Sequence, residues 1–277
     1  TLMKKCTLFL IMCFATSLIQ AQPNCYAFLL DGDTAQYEAC KYVEENLAEY
    51  YQFHRTFYAY LDTALQICPH FAYAYREKAA PYVKAGNFIE WKKNIDSAVK
   101  YDWETYLPIR ASIRHKFFAD HIGGIEDVNR ILKEWKGDLP YSHNGTYHCL
   151  AIKALFFKEL GQIDSAISTF ELLTKLPDYF VGMYDYIHLG VLYMQAGNNQ
   201  KAIETLKMQL NTNELAETHF YLAQSYKNLN NESLSKKHML KARDLFNQGY
   251  KMLDPYNTLY DQIFLSDIEH ELQILTK

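Results

Sequence analysis

A spacing of small and aromatic residues returns down this chain and limits its fold more than any other feature. The clearest copy reads Tyr186, Leu189, Gly190, Tyr193, Gly197, Ala202, Leu206. The same offsets recur as Leu150, Ala154, Phe157, Gly161, Ala166, Phe170, and again as His219, Leu222, Ala223, Tyr226, Asn230, Ser235, Met239. Self-similarity at a period of tens of residues marks stacked supersecondary units, none of which can bury its apolar face alone. Such an array is chiefly a binding surface.

The turn residues lay out the units. Gly86, Gly123, Gly161 and Gly197 fall 36 to 38 residues apart, and Asn230 follows 33 later. Each is expected to leave a first helix through a left-handed backbone, which Gly and Asn adopt at little cost. Small residues (Ala79, Ala154, Gly190, Ala223) sit in the middle of the first segments, where two helices of a hairpin must approach closely. The second segments carry Ala98, Ala166, Ala202 and Ala242. Large neighbours such as Tyr82, Phe157, Tyr193 and Tyr226 fill the remaining space.

This pattern resembles the tetratricopeptide (TPR) repeat family, whose period is about 34 residues. The resemblance is strong over 141–246 and fair over 71–101. Between Pro108 and Trp135 only the second helix fits, and over 33–69 only Phe57–Ile67 does. Trp91 stands where the family usually has Ala, which implies a splayed second hairpin or a shifted partner helix. The resemblance implies an all-α, right-handed α-solenoid of about six helix-turn-helix hairpins over 34–248. Expected first helices are 34–49, 71–85, 106–121, 145–160, 182–196 and 215–229. Expected second helices are 53–67, 88–101, 124–136, 163–176, 199–211 and 232–248. Residues 22–33 form an N-terminal tail. Residues 249–277 hold a capping helix at 257–275, whose Ile263, Phe264, Ile268, Leu272 and Ile274 recur at helical spacing. A dimerisation surface is the other reading of that helix. Gly137, Asp138, Pro140, Ser142, Asn144 and Gly145 make the one turn-rich connector, where a break in the superhelix is expected.

The N-terminus reads as an address. Lys4 and Lys5 precede an apolar run from Thr7 to Ile19, and Ala21 offers a cleavage site. A secretory signal over 1–21 is expected, with an uncleaved anchor as the alternative, and the mature protein is expected to be exported, periplasmic or secreted. Cys25, Cys40, Cys68 and Cys149 remain after cleavage. Four cysteines permit three disulfide connectivities. A Cys25–Cys40 bridge would staple the tail to the first helix, and buried free thiols are the equal alternative.

Composition narrows the function. Net charge is −4 with 49% apolar residues, so neither a basic nucleic-acid face nor a disordered chain is implied. The 23 tyrosines stand out. HExxH, CxxC, GxGxxG and Walker patterns are missing, and nothing places two inward carboxylates as hydrolysis needs. No enzyme, cofactor or metal site is expected, and no membrane insertion after signal cleavage. In the resembled family the first helices line a groove that takes a ligand. By position the groove-facing residues are Tyr73, Arg76, Arg110, Ile113, Phe117, His148, Lys158, Tyr184, Ile187 and Lys227, with Leu155, Val191, Phe220 and Gln224 among them. Aromatic platforms with a few cations suit a peptide or partner protein. The alternative is a glycan or small ligand stacked on the aromatic faces. The family's Lys/Asn two-carboxylate clamp is not reproduced.

Overall fold

The computed structural model describes residues 23–47, 49–142, 145–177 and 179–275. The expected signal over 1–21, with Cys6 and Cys13, lies outside them, as does Asn144 of the connector. The chain is an all-α helical-repeat solenoid. Among the described residues no strand forms, and one isolated antiparallel bridge links Tyr141 to His148. None of the described helices is long and apolar enough to cross a membrane.

The chain divides into two compact units, residues 1–102 and 103–277. The N-terminal unit holds α1 (Cys25–Leu30), α2 (Thr34–Asn46), α3 (Arg55–Ile67), α4 (Ala72–Lys84) and α5 (Phe88–Tyr101). Its core gathers Val43, Phe57, Leu61, Ala64, Phe71 and Ala74. Short helix α1 lies within the stretch expected to be a tail. Asn24 caps it, and a Cys25–Cys40 disulfide ties it to α2. Cys68 and Cys149 are buried free thiols. Trp91 is 1% exposed and is one of the largest side chains wholly inside the fold.

The C-terminal unit holds α6 (Trp103–Ile113), a π-helical turn (Arg114–Phe118), α7 (His121–Glu134), α8 (Cys149–Glu159), α9 (Ile163–Leu173), α10 (Asp185–Gln195), α11 (Asn199–Thr212), α12 (Ala216–Asn228), α13 (Glu232–Asn247) and α14 (Leu265–Ile274). Six hairpins thus pair in sequence order, close to the expected boundaries. Asp and Asn caps explain the sharp starts of the second helices. Asn87, Asp120, Asn198 and Asn231 each accept a hydrogen bond from a backbone N–H of the following helix.

Two expectations need correction. Gly86, Gly161, Gly197 and Asn230 do turn through positive φ, at 66°, 71°, 80° and 57°. Gly123 does not, because it lies inside α7. The π-helical turn delays the exit of α6 to Ala119, which takes the left-handed role at φ 49°. Glycine at 123 and 124 answers a different need: a Cβ at Gly123 would meet Arg114 Nη1 at 2.1 Å, and one at Gly124 would meet the Phe156 ring at 2.1 Å. Second, the capping helix begins at Leu265, not 257; residues 251–264 run without helix. The boundary between compact units falls after Asp102, and in the connector Ser142 N–H donates to Tyr147 O at 2.6 Å.

The close helix approach expected at Gly190 is present. A Cβ there would stand 2.6 Å from Leu206 Cγ of α11. Ala154, Ala166, Ala202, Ala223 and Ala242 are all fully buried.

Candidate functional site

Each unit carries one candidate site, and the two differ in occupancy. In the N-terminal unit, a cavity of about 590 Å³ opens between α4 and the loop that joins α2 to α3. Tyr73, Arg76 and Glu77 reach it from α4, at offsets that share one helix face. Lys84 extends the wall. Leu47, Tyr50, Tyr51, Gln52 and Phe53 come from the loop, and Phe57 from α3. The loop is held open by unusual backbone: Phe53 has φ 76°, which a bulky residue rarely adopts. The Tyr50 ring packs 5.2 Å from His54 and 5.5 Å from Tyr60. Tyr51 and Phe53 remain 75% and 52% exposed.

The polar groups of this cavity are few and distinct. Arg76 pairs with Glu77, whose side chain is buried. Burial, then the Glu77 carboxylate, pushes the Tyr73 hydroxyl well above its ordinary titration range. Gln52 Oε1 is buried and accepts no hydrogen bond from the described residues. An amide oxygen of this kind costs free energy until a donor reaches it.

In the C-terminal unit the first helices also form a trough, but the chain's own tail lies in it. Ala216 N–H of α12 donates to Tyr250 O at 2.9 Å, and Met252 N–H donates to Glu217 Oε2 at 3.0 Å. Leu253's backbone hydrogen-bonds the Tyr184 hydroxyl. Lys116 Nζ meets Asp254 at 2.5 Å, and Asn257 Nδ2 donates to Lys116 O at 2.5 Å. Asp261 sits between Lys158 and His188, with Nδ1 of the histidine 2.7 Å away, and Tyr221 Oη donates to Asp261 O at 3.0 Å. Lys227 Nζ pairs with Glu271 at 2.7 Å.

Asp261, Lys158 and His188 are all buried, their side chains at most 7% exposed. Burial raises the Asp261 carboxyl, but the His188 hydrogen bond and the Lys158 charge outweigh it, so the group titrates below its ordinary value. Asp261 also takes a left-handed backbone, φ 61°, which Asp tolerates better than most residues. Nearby, burial followed by His188, His121 and Lys116 pushes His115 down to about 3.

The ten residues expected to line one groove therefore divide. Tyr73 and Arg76 line the open cavity. Lys158, Tyr184 and Lys227 do face the trough, and each holds part of the tail; Gln224 joins Lys227 on Glu271. Arg110 does not face the trough. It is turned to Asp127 of α7, with Nη2 2.5 Å and Nε 3.1 Å from its two oxygens. His148 is a buried N-cap whose Nδ1 accepts from Leu150 N–H at 3.2 Å. Ile187, Leu155 and Val191 are core. Ile113 is half-buried, Phe117 is 40% exposed beside Lys116, and Phe220 packs beside the tail's apolar cluster. Lys116, His188, Tyr221, Asp254, Asp261 and Glu271 were missed. Their partners lie 40 to 138 residues away. No local pattern announces such pairs. Among the described residues no three His, Cys, Asp or Glu side chains gather as metal ligands.

The hairpin geometry matches solved TPR proteins. PilW, described as a widely conserved type IV pilus biogenesis factor, is similar over 78% of this chain and 94% of its own, at 14% identity and TM-score 0.52. The fold is the TPR fold. The Cut9–Hcn1 hetero-tetramer of the APC/C is similar at 15% identity and TM-score 0.52, over 92% of this chain and 46% of the other. The human IFIT1 dimer with PPP-AAAA is similar at 17% identity and TM-score 0.51, over 90% of this chain and 56% of that one. No family model matches the sequence, and no curated protein matches it. At these identities the TPR likeness speaks to architecture, and the sites above must carry the function.

Proposed function

We propose that this TPR protein is an exported interaction scaffold that takes an extended partner peptide in the aromatic cavity of its N-terminal unit. The observation that carries the reading is that cavity: about 590 Å³, walled by Tyr50, Tyr51, Phe53, Phe57 and Tyr73, with Lys84 at its edge. An extended chain supplies what the cavity lacks. An apolar or aromatic side chain fills the ring-lined space, and a carboxylate meets Lys84 at the wall. Export is supported by the apolar run over 7–19 and by the Cys25–Cys40 bridge, since disulfides persist in oxidising compartments.

A random peptide display screen against the full chain tests the reading. Enriched peptides should share an aromatic residue near an acidic one, and they should lose at least tenfold in affinity to Lys84→Ala and to Tyr51→Ala. A screen without a shared motif, or peptides indifferent to both variants, would overturn it. The same five rings favour a second reading, a sugar ring stacked on tyrosine. Tyr184 does not serve that reading, because its hydroxyl is taken by the tail. A glycan array decides it: reproducible sugar binding lost in Tyr51→Ala would replace the peptide.

A further inference from the structure

The tail of the C-terminal unit is anchored in two ways. Helix α14 belongs to the core, with Ile268 and Leu272 buried beside Ala216, Ala223 and Met239. The ten residues before Ile263 contain no buried apolar side chain; Leu253 and Tyr256 are 67% and 79% exposed. Polar groups hold most of this strap, chiefly Lys116 on Asp254 and Lys158 with His188 on Asp261, with the half-buried Tyr260 ring against His115 as its main apolar contact. Segments with few apolar contacts open locally at far less free energy than the whole fold.

The floor beneath the strap is selective. Lys158 is buried, so anything that displaces the strap must bring a carboxylate or leave an unpaired ammonium in a dry site. Tyr221 reads a backbone carbonyl next to that carboxylate, which suits extended chain and not a small acid. The Tyr260 ring, one residue earlier, lies 5.1 Å from His115. The occupant that fits is therefore a non-helical segment with an aromatic residue directly before an acidic one, at which the backbone turns as it does at Asp261.

We propose that this trough is a second recognition site, independent of the N-terminal cavity, and that an acidic segment of a partner protein enters it by displacing the strap while α14 stays docked. The incoming carboxylate takes the place of Asp261 between Lys158 and His188. The strap is thus the chain's own copy of the ligand, and it sets the affinity that a partner must beat.

The probe is a capped, fluorescein-labelled peptide of residues 253–263, measured by anisotropy against the full chain and against Asp254→Asn. The tethered strap competes at an effective concentration in the range of ~1 mM, so the wild type binds weakly. Asp254→Asn loosens the exposed end and should bind about tenfold tighter by the same competition argument. The peptide carrying asparagine in place of its Asp261 counterpart should bind that variant at least tenfold more weakly, as loss of a charge-assisted contact requires. Hydrogen exchange on the complex should show faster strap amides with unchanged protection of α14. Absence of binding to Asp254→Asn at millimolar peptide overturns the proposal. Equal binding of the asparagine peptide, or loss of α14 protection along with the strap, does the same.

Discussion

The two units solve the same architectural problem and leave opposite surfaces. In the N-terminal unit, α3, α4 and the loop after α2 leave a ring-lined cavity. In the C-terminal unit, α6 to α13 form a trough whose cations already hold Asp254, Asp261 and Glu271. The hairpin is common to both, so stacking alone does not decide whether a concave face stays open. What decides is whether the chain supplies a segment with matching charge. The buried Lys158–Asp261–His188 cluster is worth little against an apolar substitute but costs much when broken. It therefore specifies where the tail goes more than it adds to stability.

The largest effect should come from breaking that cluster. Asp261→Asn leaves Lys158 buried and unpaired, and chemical denaturation should show a loss of about 3–5 kcal/mol confined to the C-terminal unit. A loss below about 1 kcal/mol would mean the strap is already open, and the contrast between the units would vanish. In the N-terminal unit the corresponding staple is covalent. Cys40→Ser opens the 15-residue loop to Cys25 and should cost about 3 kcal/mol there. An unchanged Tm would show the bridge unformed in solution. Next is the helix contact at Gly190. Gly190→Leu forces a side chain into Leu206 and should cost about 2–3 kcal/mol, read as a lowered Tm.

Acid should separate the units. His115 is held neutral, down to about 3, while the unfolded chain takes up a proton near 6.5. The unfolded state then binds more protons, so stability falls as pH drops below about 6.5. His115→Leu should flatten that slope by up to about 1.4 kcal/mol per pH unit. His148 and His238, both pushed down to about 4 chiefly by burial, act with the same sign, whereas the buried Asp185 and Glu217, raised by burial, act against it. In the N-terminal unit Asp33 is held at about 2, mainly by hydrogen bonds from the Gln36 backbone and side chain and by His70. Its cap is lost only as pH falls from about 4 toward 2. Coincident acid transitions for the two units would contradict this. The smallest effect is Tyr51→Ala, which should change stability by less than about 0.5 kcal/mol because the ring is exposed. Peptide binding at the cavity should nevertheless fall.

Repeat spacing made the hairpins legible. The positive-φ turns at Gly86, Gly161, Gly197 and Asn230, and the tight contact at Gly190, are local requirements, and local requirements leave residue-type signatures. Gly123 misled for the same reason. A glycine that admits Arg114 looks in sequence like a glycine that turns. The candidate sites were only half visible. Tyr73, Arg76, Lys158, Tyr184 and Lys227 fell on the right helices, but Arg110 and His148 are spent on Asp127 and on a helix cap. A helix surface turns by 100° per residue, so an error of one position moves a side chain off the face.

By itself the amino-acid sequence settled the repeat, the order of the paired helices and the all-α class, because periodic burial and capping act over one or two turns of chain. Tertiary structure alone decided that Asp261 meets Lys158 across 103 residues, that residues 253–262 lie in the trough, and that Tyr51, Phe53 and Tyr73 line an open cavity. Those outcomes depend on which charges and voids are brought together when hairpins stack, and that juxtaposition has no counterpart in local spacing.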